Sequence, residues 1–402
     1  MMKKIMMLLS AVLMMLTVAG CGAPEAEQPE DQVSYEIAMV TDADMIMDGG
    51  YSQVAWTAIS EFGADKGVSH KYYKAPEASD EAYMETIDNA VEKGAKLIIA
   101  DGSSFADVVC SAQKEYKDVK FILIDSEPVD KESGKTDIGD NTAVVMFASE
   151  QAGYLAGYSA VKDGKTQLGF IGDEKKSVVM DYGYGFLQGA DAAARETGAA
   201  VSVNYRYCTS DDTRESILST ASEWYGAGTE VIFACGETVE QPVIEAAELT
   251  DRKVIAAETD KSEMSDTVMT SAVKDIDGVL EELLKQYRRD KFPGGEVQTY
   301  NAENDGIWLE MSNGRFAAFS ESDYNSVLDT IKDGNVTVKA HSSGDIASLG
   351  LSKVTVTEKW REKNYNYLMR CKKRLFRISL TNISAQILRR RFFVRGSCCE
   401  DR

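Results

Sequence analysis

Histidine is nearly missing from this chain. Of 402 residues only His70 and His341 are histidine, and they stand far apart. That leaves little material for a zinc site or for a serine–histidine nucleophile. No G-x-S-x-G elbow, no Walker loop and no G-x-G-x-x-G occurs, so the common signatures of esterase, nucleoside-triphosphate and dinucleotide sites are absent. Seven cysteines are present, but their spacing reads neither as a metal site nor as a disulfide framework. Cys110 and Cys235 lie in apolar contexts and read as buried hydrophobes. Cys371, Cys398 and Cys399 fall in a basic tail. Positive charge is also short, with 44 Lys+Arg against 65 Asp+Glu and a net charge of −21. Residues 361–402 hold 12 Lys+Arg and 3 Asp+Glu, net +9, which leaves −30 on residues 1–360 (−21 less +9). A body that acidic argues against a nucleic-acid partner. Beyond the N-terminus, no stretch approaches the ~20 apolar residues that a membrane span needs.

The N-terminus itself is distinctive. "MMKKIMMLLSAVLMMLTVAGC" has a two-lysine start, an apolar stretch and a small-residue exit to Cys21. Residues 1–20 therefore read as a secretory signal rather than a spanning helix. "TVAGC" resembles the lipobox of bacterial lipoproteins, which implies that Cys21 is lipidated and becomes the new N-terminus. A plain signal peptide with an accidental cysteine is the alternative. Residues 21–34 include "GAPEAEQPEDQ", a polar tether leading away from a membrane.

From Tyr35 the chain alternates strand and helix. "YEIAMV", "HKYYKA", "KLIIAD" and "VKFILID" are strand candidates; the last two are apolar runs of the kind buried on both faces. Between them lie helices, one ending at Gly67 and one starting at Ser79 as N-cap with Gly94 just past its end. The pattern restarts after about residue 145 with "QLGFIG", "AVSVNYRY", "EVIFAC", "KVIAAE" and "TVMTSAV". Such βαβα order with short connections predicts doubly wound parallel sheets, and a chain this long predicts two domains. "RCKKRLFRISLTNISAQILRRRFFVRGSCC" breaks the pattern. This atypical basic tail, residues 359–402, reads either as a membrane-surface patch or as an end that adds nothing to function.

In open parallel sheets ligands sit at the C-terminal ends of strands. There this sequence places Thr41-Asp42 and "DGGYSQ", "ADGSSF", Asp125, "GDEKKSVVMDYGYGF", "CGETVEQ", "ETDKS" and "SAVKD". The set is rich in hydrogen-bonding groups and aromatic faces and poor in nucleophile–base pairs. Each residue taken alone can equally be a cap or a turn. "DADMIMDG" fails as a calcium loop, because Ile46 stands at an oxygen-ligand position and Gln53 at the twelfth. "GYGFLQG" lies in a helical pattern, so close helix packing fits it better than a phosphate loop.

Several long segments then carry a family likeness: "DGGYSQVAW", "ADGSSFADVV", "EYKDVKFILID", "SEQAGYLAGYSA", "GFIGDEKKSVVMDYGYGFLQGADAAA", "EVIFACGETVEQPVIEAA" and "MTSAVKDID". Over about residues 35–340 the chain resembles the basic membrane protein family, also called Med or PnrA-like. These are lipoprotein substrate-binding components of ABC transporters, whose characterised members bind purine nucleosides. The resemblance implies a type I periplasmic-binding-protein fold of two doubly wound lobes. These would be residues 35–145 plus 278–310 and residues 146–277 plus 311–358, joined by crossovers near 145, 275 and 305–315. Position by position, it implies that Tyr51 stacks on the base with Ser52 beside it, that Tyr182 is a second stacking ring followed by Phe186, and that Glu258, with Asp260 next, grips ribose hydroxyls. It also puts Lys274, Asp125, Gly236, Asp48 and Ser103 on the ligand side.

The family pattern Asp-x-x-Phe-Asn-Gln-x-Ala-Trp appears here with Tyr51 for phenylalanine and Ser52 for asparagine. These departures keep the stacking and change the polar groups, so a nucleoside is implied more firmly than any one base. Two rings can sandwich a heterocycle at about 1–3 kcal/mol per stack, and a carboxylate can accept two bonds from a vicinal diol. The glycines at 49 and 50 would let the backbone turn tightly beside the ligand. The expected protein is a lipid-anchored, extracytoplasmic binding protein that passes a nucleoside to a permease and ATPase, with no cofactor, no metal and no catalysis. A sugar or autoinducer binder of the same fold is the alternative, and a nucleoside hydrolase a more distant one.

Overall fold

The computed structural model describes residues 34–42 and 50–358. The signal sequence, Cys21, Asp48 and the tail from 359 lie outside the described residues. The first half runs β1 (Ile37–Thr41), α1 (Tyr51–Lys66), β2 (His70–Lys74), α2 (Asp80–Glu92), β3 (Leu97–Asp101), α3 (Ala106–Glu115), β4 (Lys120–Ile124), a small hairpin β5 (Val129–Asp130) and β6 (Lys135–Thr136), and β7 (Thr142–Phe147). Then come α4 (Ser149–Lys162), β8 (Gln167–Gly172), α5 (Ser177–Thr197), β9 (Val201–Tyr207), α6 (Arg214–Gly226), β10 (Val231–Cys235), α7 (Glu237–Thr250), β11 (Lys253–Glu258) and β12 (Val268–Lys274). The chain closes with α8 (Ile276–Arg288), β13 (Val297–Tyr300), β14 (Ile307–Leu309), α9 (Glu321–Lys332) and β15 (Val354–Glu358).

The strands form two large sheets. The first has the order β13-β7-β4-β3-β1-β2 and is parallel throughout. The second has the order β14-β12-β11-β10-β8-β9-β15 and is parallel except for β14, which runs antiparallel to β12. Residues 307–309, expected in the first lobe, therefore belong to the second sheet. The chain passes between the sheets three times: from β7 to α4, from β12 to α8, and over residues 301–306 between β13 and β14.

Local chemistry explains the element ends. Ser79 caps α2 by accepting from the Ala82 amide, and Gly67 ends α1 in the left-handed region at φ 66°. Strands β1 and β10 are buried at every position, as strands covered by helices on both faces must be. Side chains of β1 and β3 alternate between two cores. Ala38, Val40 and Ile98 face Tyr83 and Phe105, while Ile37, Met39 and Ile99 join a larger core that continues into the second lobe. β15 was not anticipated. Its anchor is Asp191, a buried carboxylate in α5 that accepts from the backbone amides of Ser352, Lys353 and Val354.

Helices α4 and α5 meet backbone to backbone. A Cβ on Gly153 would lie 2.1 Å from the Tyr182 carbonyl oxygen, and one on Gly157 2.0 Å from that of Phe186. On the facing helix, Gly185 and Gly189 stand the same way, 1.9 Å from the carbonyl oxygens of Glu150 and Tyr154. "GYGFLQG" is thus a packing face, as its helical pattern predicted. Gly157→Ala has no flexible neighbour to push aside, so it is expected to cost at least about 1–3 kcal/mol and lower Tm by several degrees. Gly226→Ala, where an added Cβ meets nothing within 4 Å, should leave Tm unchanged or slightly higher. Thermal denaturation by circular dichroism checks both, and equal Tm values for the two variants would contradict the packing argument.

Candidate functional site

The C-terminal ends of the two sheets face a cleft of about 560 Å³. The first lobe supplies Asp42 after β1, Asp101 at the end of β3 with residues 102–104 following it, and Asp125 after β4, together with Tyr51 and Ser52 from the first turn of α1. The second lobe supplies Asp173 after β8, Gly236 and Glu237 after β10, and Glu258 at the end of β11. Backbone conformation aims several of these groups. Asp125 and Glu258 both occupy the left-handed region, at φ 56° and 64°. Glycine is the usual occupant there, and a longer side chain carries strain of about 1 kcal/mol or more. Gly236 has φ 114°, and a Cβ there would lie 2.4 Å from the Asp173 Cβ. Gly50, by contrast, is ordinary extended backbone at φ −80°, ψ −174°, so the left-handed freedom of glycine is not used at that position.

Lys274 sits at the centre of this region with no exposed side-chain surface. Its Nζ lies 2.6 Å from Asp125 Oδ2 in the first lobe and 3.1 Å from Glu258 Oε1 in the second. Three rings surround it, with centroids at 5.4 Å for Tyr51, 5.4 Å for Tyr182 and 5.7 Å for Phe147. Burial by itself would depress the lysine pKa. Asp125 and Glu258 outweigh it and hold the ammonium well above its usual range, so the charge persists.

The rest of the cleft is strongly acidic, with nine carboxylates and one lysine, Lys176, along its lining. Asp101 accepts a hydrogen bond from Ser52 Oγ at 3.2 Å. Burial, then the neighbouring Asp42, push the Asp101 carboxyl up to about 7, against the opposing pull of Ser52. Tyr51 is only 6% exposed. Burial and then Asp125 raise its hydroxyl well above the usual phenol range, which keeps it protonated.

Of the residues nominated from sequence, Tyr51, Ser52, Ser103, Asp125, Gly236 and Glu258 line the cleft. Lys274 lies directly beneath it. Tyr182 does not form an open slot with Tyr51. It is fully buried, donates its hydroxyl to the Ala272 carbonyl at 3.3 Å and meets Phe233 edge-on. Phe186 is a core residue one turn further along α5, packed against Phe170 and Phe233, and its nomination as a ligand contact is corrected accordingly. Asp260 also falls outside the lining. Its oxygens accept from the amide and hydroxyl of Ser262, and it orders the loop after β11. Asp42 and Asp101 belong to the strand-exit set of the sequence but carry no individual role there, and Phe147, also at a strand exit, is missing from that set.

Two α/β lobes with parallel strands ending on a shared cleft, crossed three times by the chain, define a type I periplasmic-binding-protein fold. Solved solute-binding proteins of ABC transporter systems share it. One from Aeropyrum pernix K1 superposes with a TM-score of 0.61 at 15% identity, covering 78% of this chain and 90% of that one. One from Conexibacter woesei gives 0.60 at 17% identity, covering 76% and 99%. Residues 35–342 match the family model described as ABC transporter substrate-binding protein, PnrA-like, and the chain belongs to this family. Among its relatives is the ABC transporter nucleoside-binding protein BmpA of Lactococcus lactis, 28% identical over 364 residues, 84% of this chain and 99% of the relative. Basic membrane protein D of Borreliella burgdorferi is 26% identical over 321 residues, covering 79% and 89%. Membership implies an extracytoplasmic protein that takes a small-molecule ligand and works with permease and ATPase subunits. Among the described residues, no helix is long and apolar enough to cross a membrane.

The raised Asp101 carboxyl has a measurable consequence. Between the unfolded value near 4 and about 7 the folded protein binds the extra proton, so Asp101 withdraws stability as pH rises through that window. Asp101→Asn keeps an acceptor for Ser52 and removes the titration. Its Tm advantage over the parent should grow from pH 5 to pH 8, to several degrees. A difference constant with pH would show that Asp101 is not proton-linked to folding.

Proposed function

We propose that this protein captures a nucleoside, most simply a purine nucleoside, in the interlobe cleft and delivers it to a permease. It is held at the outer face of the cell membrane by a lipid on Cys21. The observation that carries the ligand class is the Tyr51 ring at the mouth of α1, set against a ring of carboxylates and a buried ammonium. An aromatic face serves a flat heterocycle, while Asp125, Glu258 and Lys274 offer acceptors and donors to ribose hydroxyls. The nucleoside-binding name of the Lactococcus lactis relative supports the same reading. The mechanism is binding and release by closure of the two lobes, with no bond made or broken. A sugar ligand is the second reading, favoured by the acidic lining, since polyols also satisfy converging carboxylates.

Calorimetric titration decides between them. The protein is unfolded and refolded to strip carried-over ligand, then titrated with guanosine, adenosine, inosine and uridine, and with ribose and galactose. A purine nucleoside should bind, and Tyr51→Ala should weaken it roughly 10–100-fold through lost stacking. Binding of a sugar with silence from every nucleoside would overturn the nucleoside reading. For the anchor, Cys21→Ser should move the protein from the membrane fraction to the soluble extracytoplasmic fraction; retention on the membrane would refute lipidation at that residue.

A further inference from the structure

One buried carboxylate stands behind the cleft rather than in its lining. Glu240, in the first turn of α7, is 8% exposed. Its Oε1 accepts from the Ala257 amide at 2.9 Å, and its Oε2 lies 3.5 Å from Lys261 Nζ. Ala257 and Lys261 flank Glu258, so one side chain holds both ends of the turn that carries a cleft carboxylate. The sheet explains why a side chain is needed there. β10 and β11 are in register only from Val231–Lys253 to Phe233–Ile255, whereas β11 stays paired with β12 as far as Glu258. Along β11 the Lys253 amide donates towards β10, to the Glu230 carbonyl, and the Val254 amide donates the other way, to the Thr267 carbonyl. With a strand period of two, the Ala257 amide also points towards β10, beyond the last registered pair. Glu240 stands there in place of a strand carbonyl. Packing offers no substitute, because a cavity of about 200 Å³ opens beside the turn, bordered by Glu237, Glu240, Gln241 and Glu258.

We infer that Glu240 is a positioning residue for the ligand site: it clasps the 257–261 turn and thereby holds Glu258 at the cleft. Glu258 has φ 64°, a conformation that a glutamate keeps only where its surroundings impose it. The surroundings do so on both flanks. The Thr259 amide donates to the Ala257 carbonyl at 2.7 Å, and the Lys261 amide to the Ser271 hydroxyl at 3.0 Å. The Glu240 carboxylate then ties the two flanks to each other and to α7. Because α7 starts directly after Gly236, the second-lobe exits at Gly236 and Glu258 are fixed relative to each other through this one side chain.

The inference rests on the reading of the cleft as a ligand site that Glu258 faces, and the test keeps the two apart. The full-length protein and its Glu240→Ala, Glu240→Gln and Glu258→Ala variants, with the Glu240→Ala/Glu258→Ala double variant, are titrated with adenosine, guanosine, ribose and galactose. The titrations run at pH 8, above the value of about 7 to which burial pushes the Glu240 carboxyl against the pull of Lys261. Glu240→Ala should weaken the ligand that binds roughly 10-fold. Glu240→Gln keeps an acceptor for the Ala257 amide and should stay within roughly 3-fold of the parent. On the Glu258→Ala background, Glu240→Ala should cost hardly anything further, since both changes act on the same contact. A merely structural role would weaken binding equally on both backgrounds. That result, a Glu240→Gln variant as weak as Glu240→Ala, or unchanged affinity in Glu240→Ala overturns the inference. Should Glu240→Ala not fold, Glu240→Asp, which draws the carboxylate back by one methylene, replaces it in the cycle. If Glu258→Ala binds as the parent does, the assignment of Glu258 to the ligand fails and takes the inference with it. If no probe binds, the nucleoside and sugar readings fail, and hydrogen exchange decides the inference alone. Amides 257–261 should then exchange roughly 10-fold faster in Glu240→Ala and at the parent rate in Glu240→Gln. Parent rates in both variants would overturn it.

Discussion

A single buried ammonium organises this molecule. Lys274 arrives at the end of β12, has no contact with solvent, and is neutralised from both lobes at once. Removing such a charge from water costs several kcal/mol, which its partners must return through close geometry. They do so from five different places in the chain: the exits of β4, β7 and β11, the start of α1 and the second turn of α5. Those elements are thereby held in one arrangement. Any relative movement of the lobes must also alter the Lys274–Asp125 contact, so lobe position and charge compensation are coupled.

The remaining electrostatics follow from what this lysine leaves unneutralised. It compensates two carboxylates, while nine line the cleft, and Asp101 is driven up to about 7 by burial first and by the neighbouring Asp42 second. Such a cavity concentrates negative potential between low-dielectric walls and discourages anionic solutes. Uncharged or cationic solutes with hydroxyl or amino donors meet no such barrier. The strain at Asp125 and Glu258 belongs to the same design. Both residues leave their strands in the left-handed region, and both turn a carboxylate onto the lysine.

Much of this is legible in the sequence. The apolar runs at 97–101 and 120–124 could only be strands buried on both faces, and strands of that kind put their ligand groups at their C-terminal ends. Tyr51, Asp125 and Glu258 follow from that rule. Tyr182 and Phe186 show where it stops. Helical periodicity places both on an inward face of α5, but it cannot tell a ring that looks into a cleft from one that looks into a core. That depends on what the ring meets across the sheet, and here Tyr182 packs on Phe233 and Phe186 on Phe170 and Phe233. Asp260 follows in the sequence from its neighbour Glu258, yet its oxygens are taken by Ser262, Ser271 and Asn313. β15 was invisible because its anchor, Asp191, lies far away in sequence within a helix.

The glycine seam between α4 and α5 also bears on how the protein yields. Ordinary helix pairs are separated by side chains that can change rotamer, so they accommodate small shear. Here carbonyls and Cα atoms touch directly, and nothing at the seam can rotate out of the way. The two helices behave as a welded beam, rooted just after the first chain crossing and reaching under the cleft at Tyr182. Any compliance must come instead from the short connections, above all the turn of residues 301–306, which Asn301 and Asn304 tie together by side-chain-to-backbone bonds. The stiffness of the second lobe is set by residues with no side chain, and its freedom to swing by a six-residue turn.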